Sequence, residues 1–332
     1  MNTKILKIDD YSLKYSKNLI EAKELVAFPT ETVYGLGALA TSDEAVKKIY
    51  EAKGRPSDNP LIVHVHKNYD ISSLVFIEHG YVKKLQEAFL PGPLTMVYKS
   101  KGVVCNTVSC GLDTLAIRVP SSKEAQMFLE YVDAPIAAPS ANVSKHTSPV
   151  TSEHVFNDLN GKINLILDGG KCEGGIESTV LDVTTETPII LRSGLITCQM
   201  IKEVVGKCEY ASGVSEIVNR SPGTKYSHYM PKCQTALFTL DSLQDAQNYY
   251  DECVKQGKRT YFLCYDGVLK YLNGNVLNLG KTATEIASNL YFNLLEAEKI
   301  CDVLIAIEVK TGSEIDVSIM NRLSKACKSA IK

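Results

Sequence analysis

The sequence predicts a two-domain α/β protein, and three observations predict it. The chain runs to 332 residues, longer than most single domains. Through its first two hundred or so residues, short apolar runs alternate with segments of helical period. The stretch Ser221–Pro231 carries two prolines and a glycine and can sustain neither helix nor central strand; after it a shorter alternating pattern resumes.

Taken in chain order, Leu25–Phe28 and Leu61–His66 read as buried strands. Thr41 and Glu44 stand at capping-box spacing and predict a helix through Ala45, Ile49 and Tyr50. Further strands are predicted at Leu94–Lys99, Thr114–Val119, Pro135–Ala138, Ile163–Leu167, Thr179–Val183 and Ile189–Leu191. Beyond Pro231, strands near Thr235–Leu240, Thr260–Cys264, Val276–Leu279 and Asp302–Glu308 alternate with helices starting near Ser242, Thr282 and Ser313. That is the pattern of a small βαβ domain with a mostly parallel sheet.

Composition removes several function classes. Hydrophobic residues make up 45% and charged residues 22%, which is ordinary for a globular chain. The formal charge of -2 argues against a broad basic face for nucleic acid, which needs many simultaneous phosphate contacts. It leaves room for a small cationic pocket. No apolar run approaches the roughly 18 residues of a membrane span, and the N-terminus turns acidic at Asp9 and Asp10 before a signal core forms. A cytoplasmic location is expected. Ten cysteines include no Cys-x-x-Cys pair, the nearest two being Cys105 and Cys110. They read as small apolar packers in a reducing compartment rather than zinc ligands.

The cations are informative. Six arginines stand beside thirty lysines, and Arg55, Arg118 and Arg192 each end a predicted element next to glycine, proline or serine. A planar guanidinium there suits carboxylate or phosphate recognition; a surface cation or helix cap is the plainer reading. In Lys53-Gly54-Arg55-Pro56 two cations leave a helix end in an extended exit, held by the turn Asp58-Asn59-Pro60. Pro139-Ser140-Ala141-Asn142, running on to Ser148, offers small residues and hydroxyl or amide groups after a strand, either as an ordinary turn or as a ligand loop. Phe28–Gly37 reads as a strand leaving its sheet into a hydroxyl- and glycine-bearing loop, without a P-loop signature. Neither a Gly-x-Ser-x-Gly elbow nor a His-Glu-x-x-His helix occurs.

Five strings occur in one order: Phe-Pro-Thr-Glu-Thr-Val-Tyr-Gly-Leu-Gly at 28–37, Lys-x-Arg-Pro-x-x-Asn-Pro-Leu at 53–61, Pro-Gly-Pro-Leu-Thr at 91–95, Ala-Ile-Arg-Val-Pro at 116–120 and Pro-Ser-Ala-Asn at 139–142. Together they resemble the YrdC-like L-threonylcarbamoyladenylate synthases, in their long two-domain form. The resemblance implies a YrdC-like twisted open sheet with helices over residues 1–210. It further implies a linker over 211–232 that closes over the active site, and a smaller Rossmann-like α/β domain over 233–332. The implied activity joins L-threonine, bicarbonate or CO2 and ATP into threonylcarbamoyl-AMP with release of pyrophosphate. The product would pass to a tRNA threonylcarbamoyl transferase for modification of the adenosine beside the anticodon.

By the same resemblance, threonine would meet Thr32, His64, Arg118, the Ala138 backbone and Ser178. ATP would meet Lys53, Arg55, Asn59, Thr114, Ser140, Asn142, Ser148 and Arg192, with His228 or Tyr229 of the linker closing over it. Lys53 and Arg55 would act on the reacting phosphate, and Mg2+ would bridge the ATP phosphates. Two departures stand out: Lys145 occupies a position where the family commonly has glycine, and Thr224 and Ser227 replace an apolar residue and an arginine. The alternatives are a non-catalytic RNA-binding module and a carbamoyl-phosphate-using transferase, the second expected to carry zinc-finger cysteine pairs.

Overall fold

The computed structural model describes residues 2–57, 59–211 and 230–327. Contacts divide the chain into two compact units, Met1–Ser144 with Pro149–Tyr226, and Lys145–Ser148 with Ser227–Lys332. Most of the proposed linker, including Thr224, Lys225, Ser227, His228 and Tyr229, lies outside the described residues, as does Asp58.

The first unit is built on a mixed twelve-stranded sheet. Lys4–Lys7 forms one edge, followed by Leu165–Asp168, Val26–Phe28, Gly35–Leu39, Ile136–Ala137 and Ile62–His64. The order continues through Thr114–Arg118, Leu94–Ser100, Thr179–Asp182, Ile189–Arg192 and Glu209–Tyr210, with Val75–Phe76 pairing Leu94–Ser100. Non-consecutive neighbours such as Ile62–His64 beside Thr114–Arg118 bring distant motifs side by side. The helices Asp10–Glu21 and Lys123–Val132 pack on one part of this sheet, where Leu13, Ile20, Phe28, Phe128, Leu129 and Leu165 form a dry core.

The predicted strands are present, most of them shorter at the ends by a residue or two. Three differences have physical causes. Ser42, rather than Thr41, caps the helix Asp43–Lys53, its hydroxyl accepting from the Ala45 amide. Residues 35–39 form a strand rather than a loop, antiparallel to Val26–Phe28. A Cβ on Gly35 would sit 3.2 Å from the Phe28 ring, and one on Gly37 would sit 2.9 Å from Ile136. Those glycines serve close packing between strands rather than approach to a ligand. Lys4–Lys7 went unrecognised because it is a largely exposed edge strand guarded by lysines, with little apolar signal.

The second unit has a four-stranded, wholly parallel sheet in the order Gln234–Phe238, Val303–Ile307, Thr260–Cys264, Val276–Asn278. The helix Ala283–Ile300 starts at Thr282, which forms a capping box with Glu285. Leu243–Lys255 and Ile315–Ala326 complete its helices. All ten cysteines are free thiols, seven of them buried. No helix among the described residues is long and apolar enough to cross a membrane.

Candidate active site

Strand register places the site. His64 lies opposite Arg118 across two parallel strands, and Arg118 lies opposite Thr95 across the next, antiparallel pair. Residues in register share a sheet face, so an imidazole, a guanidinium and a hydroxyl stand in a row at roughly 5 Å strand spacing. Thr114 is four residues before Arg118 on the same strand, hence on the same face and roughly 13 Å away. Between these polar ends the strands contribute Ile62, Val97, Ala116, Val180 and, from the next strand, Leu191, an apolar cluster that forms the floor.

Arg118 is only 4% exposed. Its Nη1 donates to Thr32 Oγ1 at 2.7 Å, and its Nη2 lies 2.8 Å from Glu31 Oε1. Thr32 is fully buried, and its hydroxyl meets that of Thr30, which in turn donates to the Val33 carbonyl. The turn after Phe28 is thereby tied internally and presents Glu31 and Thr32 to the guanidinium. His64 is buried, packs edge-on against Phe28, and has its Nδ1 3.3 Å from the Ile62 carbonyl. Burial and then the neighbouring Arg118 charge hold its pKa down at about 3, so the ring is neutral at ordinary pH.

Ser178 joins this group from the neighbouring strand entry. Its hydroxyl is 2.8 Å from Thr95 Oγ1, and Arg192 donates to its carbonyl through Nε and Nη2 at 3.1 and 3.0 Å. Arg192, expected to meet ATP, is thus hydrogen-bonded to Ser178, expected to meet threonine. Burial pushes the nearby Cys172 thiol up to about 12, which leaves it protonated and a poor nucleophile.

A second group forms where the helix Asp43–Lys53 ends. Gly54 takes a left-handed φ of 58° and stops the helix. Lys53 is 3% exposed, and its Nζ donates to the carbonyls of Ser140 and of Asn142, the latter at 2.6 Å. Its pKa is held well below the usual lysine range by burial first and by Arg55 second, against a weaker opposing pull from Asp158. Arg55 Nη2 donates to the carbonyl of Asn59, a residue with 1% exposure. Ala138 links the two groups: its amide donates to Ile62, beside His64, and it lies two residues before Ser140. Ser148 is buried and by its contacts belongs to the second unit. Lys145 has a φ of +73°, a left-handed conformation that favours glycine.

Two residues of the site escaped sequence reasoning. Glu31 and Thr95 both sit inside strings that stood out, at 28–37 and 91–95, but neither had a role until the fold put them beside Arg118 and Ser178.

Comparison with known proteins agrees along the whole chain. A family described as "Telomere recombination" matches residues 18–194, and one described as "Threonylcarbamoyl-AMP synthase, C-terminal domain" matches residues 196–328. The chain is 37% identical to the threonylcarbamoyl-AMP synthase of Pyrococcus abyssi, over 96% of this chain and 95% of that one. It is 39% identical to the threonylcarbamoyl-AMP synthase of Bacillus subtilis, over 97% and 94%. The crystal structure of P. abyssi Sua5 complexed with L-threonine superposes with a TM-score of 0.88 at 35% identity, covering 99% of this chain and 98% of the other.

Proposed function

The chain belongs to the threonylcarbamoyl-AMP synthase family, and we propose that the face carrying Arg118 holds L-threonine while the Lys53–Asn142 group holds ATP. The reaction joins L-threonine, bicarbonate or CO2 and ATP into L-threonylcarbamoyl-AMP and pyrophosphate. The threonine nitrogen forms a bond to the carbon of CO2 and gives up its proton. A carbamate oxygen then attacks the α-phosphorus of ATP, and the bond to pyrophosphate breaks.

The observation that carries this reading is the buried Arg118, anchored by Thr32 and flanked by a neutral His64. A guanidinium fixed in this way pairs with an α-carboxylate in bidentate fashion. Because His64 is uncharged, it adds no second cation to pull the carboxylate elsewhere. Ser178 and Thr95 offer hydroxyls at the next strand. The roughly 13 Å from Arg118 to Thr114, over an apolar floor, suits an amino acid and a nucleotide laid end to end.

Arg55 supplies positive charge to the phosphates, where charge builds up during transfer, and phosphates beside Lys53 would favour the charged form that its burial opposes. No nucleophilic side chain is required, since the carbamate itself attacks. Among the described residues no cluster of three His, Cys, Asp or Glu side chains could cage a metal ion. Mg2+ would be held mainly by the ATP phosphates, which it would help to neutralise. Delivery of the product to a tRNA-modifying transferase belongs to the same proposal, as does closure of the linker through His228 or Tyr229. Relatives that match nearly the full chain are named as enzymes, which leaves the non-catalytic RNA-binding alternative without support.

The test is pyrophosphate release from ATP with purified protein. Release is expected only when threonine and bicarbonate are both present; release indifferent to threonine would identify a generic nucleotide hydrolase instead.

A further inference from the structure

The contact between Glu31 and Arg118 is close but poorly made. Arg118 Nη2 and Glu31 Oε1 are 2.8 Å apart, yet neither atom reaches hydrogen-bonding geometry with a partner among the described residues. Arg118 Nε and Glu31 Oε2 are likewise buried without a hydrogen-bond partner there. Both side chains are deep, at 4% and 10% exposure. Buried charges left without aligned hydrogen bonds are costly, and a ligand carrying the complementary charges would offset that cost. Glu31, though not Arg118, also lines a cavity of about 350 Å3 with Thr30, Lys123, Lys171 and Cys172.

We propose that Glu31 and Arg118 together form a receptor for the zwitterion of the amino-acid substrate, Arg118 taking the α-carboxylate and Glu31 the α-ammonium. This rests on the assignment of threonine to the Arg118 face. The electrostatic reason is charge balance. The Glu31–Arg118 pair is neutral, and so is a zwitterion. Inserting one into the other exchanges a single misaligned ion pair for two aligned, charge-assisted ones and buries no net charge. A ligand with only a carboxylate would compete with Glu31 for Arg118 and leave that carboxylate stranded. A ligand with only an ammonium would strand Arg118. Recognition of the whole amino-acid head group is thus built into one ion pair, leaving the side-chain hydroxyl to be read by neighbours such as Ser178.

Calorimetry on the full chain tests this, with L-threonine and its des-amino analogue 3-hydroxybutyrate as ligands and Glu31→Gln as the variant. The wild-type chain should bind threonine about 10- to 100-fold more tightly than 3-hydroxybutyrate. Glu31→Gln should weaken threonine by a similar factor while leaving 3-hydroxybutyrate unchanged or slightly tighter. Equal weakening of both ligands would overturn the proposal, because Glu31 would then merely orient Arg118. Wild-type protein that binds 3-hydroxybutyrate as tightly as threonine would overturn it without any variant, so the result does not depend on how Glu31→Gln folds. Wild-type protein that binds neither ligand would instead remove the threonine assignment itself.

Discussion

His64 and Arg118 face each other across adjacent parallel strands, both buried, and the imidazole stays neutral beside the guanidinium. The arrangement lets one cation, rather than two, define where a carboxylate docks. It also makes stability depend on pH. The folded pKa of about 3 lies below the value near 6.5 of an unfolded histidine, so between those limits the unfolded chain binds a proton that the native chain excludes. The stability contribution is complete above about pH 6.5 and is lost progressively as pH falls towards 3.

For His64 this predicts that lowering pH from 7 to 5 costs the wild-type chain about 2 kcal/mol that a His64→Gln variant does not lose. Urea unfolding at the two pH values measures it. An identical pH sensitivity in the variant would mean that the ring is not buried neutral.

Arg118→Ala should raise the apparent threonine KM, and it should also destabilise the first unit by about 3–5 kcal/mol, because Glu31 is left as a buried, unpaired charge. Removing Glu31 as well should restore most of that stability without restoring threonine use. Denaturant midpoints and threonine-dependent pyrophosphate release, measured on both variants, separate the two effects.

Lys53 and Arg55 should differ although they are two residues apart. Lys53→Met strips the buried carbonyls of Ser140 and Asn142 of their donor, which predicts a loss of about 1–3 kcal/mol of stability in addition to lost activity. Arg55→Met, at a partly exposed position, should raise the KM for ATP with little change in melting temperature. Thermal melts alongside ATP kinetics decide it.

Lys145→Gly should stabilise the protein by about 1 kcal/mol, since glycine relieves the left-handed backbone at φ +73°, whereas Lys145→Ala should not. Gly37→Ala should destabilise by about 1–3 kcal/mol, because its Cβ meets Ile136 at 2.9 Å and the Val26 carbonyl at 3.1 Å. Unfolding midpoints of the three variants against wild type are the measurement.

Much of this protein could be read from its residues in order. Alternating apolar runs predicted the strands, Gly54 marked a helix end, and the strings around Thr32, Lys53, Arg118 and Ser140 singled out chemistry, because periodicity, turn residues and motif spacing are local properties of a chain. What local order does not contain is which strands become neighbours. Only the tertiary structure put His64, Arg118 and Thr95 in one row, joined Arg192 to the Ser178 backbone and turned 35–39 from a loop into a strand. The same holds for Glu31: a carboxylate among hydroxyl residues says nothing of its partner until sheet pairing carries Arg118, eighty-seven positions along, to within 2.8 Å. Register and burial are collective outcomes of packing, and they decide which side chains meet and which charges are left to seek a ligand.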